Sequence, residues 1–480
     1  MTTVDVSGWE LHNVLRKGRE LRTRRALVQH KTPTTGTTYV GGFSIESPNT
    51  TEVWHYLFEQ VTATGAVTLR CYTEEYLELW SHLLGVMQER PVITWGAQNA
   101  QVMVNSPSFS APLYGLVGGG MITATKATSV NSDTTALDLP AGHLCTFGDR
   151  FVIAQGNVLF FNDPGVDPRS FVAENVVAMP GSVYDIVQGP GGALYIATSA
   201  GVYTLPGDAL GQGQSVQGFL SRVPGIEVSR ARNLAVSGGV VAVLQQDHVL
   251  LLPDQRIPFA AARGRRYYSR PVEAADLRSA AELYAIPGGF IVATRGARPF
   301  YTLIDLASVG VSHMWSASSA IALCGTLRSR DGDPLLVAAN RILEPFARSA
   351  TDSFDSAVID GVLAGVIAQQ PNQTGVLRRL SVASSNYAAS GNPTVAAAVN
   401  GSATSAKNPP TKTGDLVIGT SAWAASGAFA GRTLRTTRLS LAVRANEHAV
   451  ELRVRGGDVA IAAAVDLEVT GQARGRRERS

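Results

Sequence analysis

Phe147-Gly148-Asp149-Arg150-Phe151-Val152-Ile153-Ala154 runs into Gln155-Gly156-Asn157 and returns as Val158-Leu159-Phe160-Phe161, and Asn162-Asp163-Pro164-Gly165 then breaks the pattern. A second pass follows: Val183-Tyr184-Asp185-Ile186-Val187, a turn at Gly189-Pro190-Gly191-Gly192, and Ala193-Leu194-Tyr195-Ile196-Ala197-Thr198. It turns again at Ser199-Ala200-Gly201 and ends in Val202-Tyr203-Thr204-Leu205. Short β-branched and aromatic runs, each closed by glycine or asparagine, predict antiparallel meanders with tight hairpins. Repeating such a meander is what a β-propeller blade does. Phe160 and Tyr195 fall late in their strands and are expected to be largely buried.

The same pattern extends in both directions. Residues 52–80 hold Val53-Trp54-His55-Tyr56-Leu57-Phe58 and Val67-Thr68-Leu69-Arg70-Cys71-Tyr72 around Gly65, and 91–118 hold a weaker unit. Residues 233–252 turn at Gly238-Gly239, 281–304 at Pro287-Gly288-Gly289, and 321–346 at Asp331-Gly332-Asp333. With 144–161 and 183–205 these make about seven blade-like units, at the spacing of about 40–50 residues expected of blades. A sandwich or two smaller β-domains would produce many of the same strands. Closure is the physical argument for a ring, since one blade cannot bury both faces and a ring leaves only short edges. The predicted class is all-β, with a β-propeller-like core over 39–350 whose N-terminal part could be a separate β-domain. Residues 1–38 read as an N-terminal arm.

Beyond Thr351 the character changes. Residues 391–413 are rich in Asn, Ser, Ala and Pro, as loops are. Leu439, Leu441 and Val443 alternate along one face, and Val450, Leu452 and Val454 alternate opposite Glu451, Arg453 and Arg455. Residues 351–470 are therefore expected to form a C-terminal β-domain, sandwich-like from 377 onward. A basic tail at 471–480 is expected to be disordered.

At 480 residues the chain favours more than one domain. Charged residues make up 16%, below the usual quarter, which suits either surfaces covered by other subunits or any turn-rich β-protein. A formal charge of +3 is too small to imply a nucleic-acid-binding surface. Cys71, Cys145 and Cys324 are too scattered for a disulfide framework or a zinc ribbon and suit a reducing cytoplasm. No signal peptide is read at 1–20, and the uncharged windows 98–125 and 416–431 are too interrupted for a membrane span.

Catalytic constellations are weak. The eight histidines show no metal-ligand spacing, and no Gly-x-Ser-x-Gly elbow occurs. Lys412-Thr413-Gly414 lacks the companions of the β-lactamase motif it matches, and glycine-rich 115–120 lacks the Lys of a phosphate loop. Asp163, Asp167, Asp331 and Asp333 sit in turns, where Asx-turn chemistry outweighs a calcium site needing six to eight oxygens. Arg263, Arg265, Arg266 and Arg270, with Tyr267 and Tyr268, could grip phosphates and stack on bases, or make ordinary protein contacts. Arg16, Lys17, Arg19, Arg22, Arg24 and Arg25, among Leu11, Val14, Leu15 and Leu21, could bind phosphate or acidic neighbours. The blander alternative is a solvated or subunit-contacting arm. No catalytic, cofactor-binding or metal-binding residue is assigned.

Gly148-Asp149-Arg150, Leu159-Phe160-Phe161-Asn162-Asp163-Pro164-Gly165, Gly192-Ala193-Leu194-Tyr195-Ile196-Ala197-Thr198 and Gly201-Val202-Tyr203 resemble the tail nozzle proteins of short-tailed bacteriophages. The wording of the match is confined to this region, and its architecture extends over 22–469. The resemblance implies a structural virion protein, synthesised in the host cytoplasm, that assembles below the portal and tail adaptor. It implies a homo-oligomeric ring, a hexamer, whose axial channel retains and then conducts genomic DNA without reading its sequence. Tail fibres or spikes would attach outside, with no cofactor and no catalysis. The competing reading is a propeller enzyme or binding module acting at its own central channel.

Overall fold

The computed structural model describes residues 2–5, 9–17, 20–46, 52–86, 92–96, 101–105, 113–116, 142–148, 150–162, 171–207, 219–226, 233–245, 248–253, 255–258, 282–294, 301–307, 310–314, 321–347, 359–368, 373–386, 394–400, 402–404, 406–407, 435–445, 447–456 and 459–473. Among them the chain is almost entirely strand, and seven small antiparallel sheets follow one another along the sequence. They occupy 37–86, 92–116, 143–178, 183–222, 234–258, 282–314 and 323–347, here called blades 1 to 7. The opening strands of successive blades touch from blade 2 through blade 7, and that of blade 7 touches blade 1. This is the all-β propeller core expected from the sequence.

In blades 3, 5 and 6 the second strand is apolar on both faces because a neighbouring blade covers each. Phe151 to Ala154, Val241 to Leu244 and Gly289 to Ala293 are buried without a break. Consecutive blades share separate cores. Phe147, Phe161, Ile186 and Ile196 join blades 3 and 4, and Ala197, Leu234 and Val243 join blades 4 and 5. Leu251, Phe290 and Ile304 join blades 5 and 6, and Tyr39, Leu57, Leu327 and Val337 join blades 7 and 1. The hairpins turn where the sequence indicates: Gly238 and Gly239 have φ of 55° and 77°, the left-handed pair that a two-residue turn requires.

Two aromatic expectations need correction. Phe160 and Tyr195 are only partly buried, whereas Phe161, Leu194 and Ile196 are fully so. Phe160 lies in a third strand and Tyr195 in a second, so their positions do not correspond. In a strand, a slip of one residue exchanges the faces.

The N-terminal stretch is not a solvated arm. Ala26–Lys31 is the fourth strand of blade 7, paired antiparallel to Arg341–Ala347. Leu27 enters the core shared by blades 6 and 7 with Ile291, Tyr301 and Leu336. A strand from the start of the chain thus completes the last blade.

The other N-terminal strands join a β-sandwich. One sheet combines Thr2–Asp5, Val14–Lys17 and Glu20–Thr23 with Gln373–Asn386, Arg435–Ala445 and Val459–Ala473. The opposing sheet combines Glu10–His12, Asp360–Ala368, Glu447–Arg455, Thr394–Val399 and Ser402–Ala403. Val14, Leu21, Leu380, Leu439, Leu452 and Val454 are buried between them. Glu10–His12 also pairs parallel to Gly310–Met314, so this sheet continues into blade 6 and covers its outer edge. Of the tail expected to be disordered at 471–480, Gly471 to Ala473 instead extend the strand Val459–Ala473 and pair with Gln373 to Gly375, and 474–480 lies outside the described residues.

Asn13 fixes the junction. It is buried at φ 52°, a left-handed conformation that Asn tolerates better than most residues. Its N–H donates to His313 O at 2.8 Å and its side-chain amide to Asp360 O at 3.1 Å. Its Oδ1 accepts from Arg24 Nε at 3.1 Å, so one residue ties blade 6, the sandwich and the strand leading to closure.

Candidate functional site

The opening strands of blades 1, 3, 4, 5, 6 and 7 surround a central channel of ≈ 590 Å³. Its polar wall includes Thr146, Asp185, Gln188, Tyr284 and Thr326. At or beside this channel the polar side chains hold one blade to the next. Asp185 Oδ2 accepts from Leu234 N–H at 2.9 Å, blade 4 to blade 5, and its Oδ1 accepts from Ile186 N–H at 3.0 Å. Gln188, with its amide set so that both atoms are satisfied, donates to Thr146 O at 3.2 Å and accepts from Gly148 N–H at 3.1 Å, blade 4 to blade 3.

Ser237 Oγ donates to Ile286 O at 2.6 Å, blade 5 to blade 6. Thr326 Oγ1 donates to Ala285 O at 3.3 Å, blade 7 to blade 6, and Arg328 N–H donates to Ser44 Oγ at 2.8 Å, blade 7 to blade 1. At this last seam the backbones nearly touch. A Cβ on Gly325 would sit 2.7 Å from Gly42 N, and one on Gly42 would crowd the Leu57, Leu327 and Val337 side chains at 3.0–3.1 Å.

The Cys145 thiol in the channel is chemically quiet. Burial pushes Cys145 up to about 12, and a thiol with so high a pKa offers little thiolate at neutral pH. Its Sγ lies 2.9 Å from Thr146 O, and Cys324 Sγ lies 3.3 Å from Val337 O. Cys71, inside blade 1, is likewise pushed by burial to about 12.

A second polar cluster lies at the seam of blades 1 and 7. His55 is fully buried, bonds Ser44 Oγ through Nδ1 at 3.0 Å, and stacks on Tyr76 at 5.4 Å. Burial lowers its pKa from the ordinary 6.5 to about 4, with the Glu75 carboxylate pulling weakly the other way. Between these values the unfolded chain holds a proton that the folded chain excludes, so stability rises with pH and is lost as pH falls through this window. The full shift corresponds to roughly 3 kcal/mol. His55→Gln should therefore lose about 2–3 kcal/mol less than the native chain between pH 7 and pH 4.5 in urea titrations. Equal losses would show that His55 does not titrate in this way.

The structure brings together some histidines that the sequence leaves apart. His12 and His313 sit 5.2 Å apart where the sandwich meets blade 6, both buried. His12 Nε2 meets Glu10 Oε1 at 2.6 Å, and His313 Nδ1 meets Thr302 Oγ1 at 2.9 Å. Nothing in the spacing of residues 12 and 313 could have signalled this. Among the described residues no group of three or more His, Cys, Asp or Glu could hold a metal ion.

Asp331 and Asp333 lie in the turn of blade 7, but the side chain that closes it belongs to Ser329, whose Oγ accepts from Asp333 N–H at 3.0 Å. Asp163, Asp167, the Arg263–Arg270 basic and aromatic loop, Lys412-Thr413-Gly414, and 117–120 of the glycine-rich stretch lie outside the described residues. Arg16, Arg22, Arg24 and Arg25 are brought to one cavity between the N-terminal hairpin and blades 6 and 7.

No protein-family description matches the chain, and no curated protein does. Among solved structures, a streptogramin B lyase is 9% identical with a TM-score of 0.44, covering 67% of this chain and 97% of its own. The WD40 repeats of RRP9 are 7% identical with a TM-score of 0.43, covering 68% and 99%. U3-55K is 8% identical with a TM-score of 0.42, covering 67% and 98%. The propeller assignment rests on the successive small sheets and on the contacts that run from blade 2 to blade 7 and from blade 7 to blade 1, rather than on these likenesses. No helix among the described residues is long and apolar enough to cross a membrane.

Proposed function

We propose that this chain is a structural virion protein of a short-tailed phage, forming the nozzle of the tail. The observation that carries this reading is the engagement of the channel's polar side chains. Asp185, Gln188 and Thr326 each bind a neighbouring blade, and burial holds the Cys145 thiol protonated at neutral pH. That is the chemistry of a rigid building block. It does not resemble a propeller enzyme, whose channel would converge acids, bases or nucleophiles on a substrate.

The same geometry bears on the DNA path. A volume of ≈ 590 Å³ is the size of a small-molecule pocket, whereas a duplex has a major groove that alone is about 12 Å wide. Genomic DNA would therefore run along the lumen of a ring of identical copies, a hexamer by the resemblance. Each propeller would be a solid wall segment, since closed rings let loops from every subunit converge at one axis. The adaptor would hold one end and fibres or spikes the outside.

Deleting the reading frame from the phage genome should leave heads that package DNA but neither retain it nor infect, with rescue by a copy supplied in trans. Normal retention and infectivity without the chain would overturn the proposal.

A further inference from the structure

A second cavity, of ≈ 400 Å³, lies away from the propeller channel, where the N-terminal hairpin crosses blades 6 and 7. The hairpin pairs Leu15 with Arg22 and Arg16 with Leu21. Leu21 is buried in the sandwich core, whereas Leu15 packs against the core of blades 6 and 7 and lines the cavity with Arg22. The floor is apolar, formed by Ile291, Tyr301, Leu303, Met314 and Leu336. The rim carries Arg16, Arg22, Arg24 and Arg25 against Asp305 and Asp333, four cationic groups less two anionic, a net charge of +2.

Arg24 is held in place. It is 3% exposed, its Nε donates to Asn13 Oδ1 at 3.1 Å, and its Nη1 donates to Arg25 O at 3.0 Å. Asp305 Oδ1 already accepts from Ala307 N–H at 3.1 Å.

We propose that this cavity binds a small organic anion with an apolar body, such as a medium-chain carboxylate or sulfate. Guanidinium groups donate paired N–H bonds to the oxygens of such a head group, and the apolar floor favours a chain that leaves water. The volume falls at the lower end of small-molecule pockets, about 300–1,000 Å³, and is too small for a folded partner. A bare inorganic anion would leave the floor unused, and an alkyl cation would meet a rim of its own sign. The inference is independent of the nozzle reading, because its test is equilibrium binding to the purified chain.

Isothermal titration of the full chain with octyl sulfate, octyltrimethylammonium and inorganic sulfate tests it. Octyl sulfate should bind one per chain, at least tenfold more tightly than either of the others. Arg16→Gln with Arg22→Gln should weaken octyl sulfate at least tenfold, and Leu303→Trp should block it by filling the floor. The ranking of the three probes on the native chain decides the matter even if a variant fails to fold. Equal binding of the cation would reduce the site to an apolar patch, and equal binding of inorganic sulfate to a bare anion site. Either result overturns the proposal, as does unchanged affinity in folded variants of both kinds.

Discussion

A chain beginning at residue 32 should fail to form a stable propeller. Loss of Ala26–Lys31 leaves Arg341–Ala347 with an unpaired outer edge and removes Leu27 from the core between blades 6 and 7. Loss of the preceding strands strips Val14 and Leu21 from the sandwich core and uncovers the edge of blade 6. Both domains open together, and a stability of about 5–15 kcal/mol does not survive two such losses. Leu27→Ala alone, at a fully buried site, should cost about 2–5 kcal/mol. Chemical denaturation measures both. A truncated chain that unfolds cooperatively at the native midpoint would mean that the ring does not depend on its N-terminal strand.

Arg70→Leu should cost about 3 kcal/mol or more, because it strands a buried carboxylate. Glu59 is 1% exposed and accepts from Thr34 Oγ1 at 2.9 Å, Arg70 Nε at 3.1 Å and Tyr72 OH at 3.3 Å. Arg70 also reaches Glu78 at 2.9 Å, but that partner is half-exposed and contributes little. Combining Arg70→Leu with Glu59→Gln should recover most of the loss, since neutral Gln carries no charge to strand. A double variant no better than Arg70→Leu would place the cost in packing instead.

The blades were legible because a strand covered on both faces reads as an unbroken apolar run, as Gly289 to Ala293 does, with glycine marking each turn. Outer strands were not. Ser221–Arg222 is two exposed residues, and Gln255–Pro258 carries two exposed polar side chains, so neither has a pattern to read. The N-terminal strands were hidden for another reason. Leu11, Val14, Leu15 and Leu21 serve two cores on opposite sides of short strands, so their spacing follows no single period and the arginines dominate the impression.

The channel clasps were equally invisible. Asp185, Gln188, Ser237 and Thr326 bond to backbone atoms of other blades, and only ring closure brings those atoms near. The use of these polar residues as clasps between blades therefore had no local signal to read.

The most direct measurement of the central claim is averaged electron microscopy of purified particles carrying a tag on this chain. Several identical copies should close a ring on the tail axis, with DNA density in the shared lumen and each seven-bladed channel off that axis. Particles that lack the tag while the chain circulates as a free monomer, or DNA threading a single propeller, would contradict it.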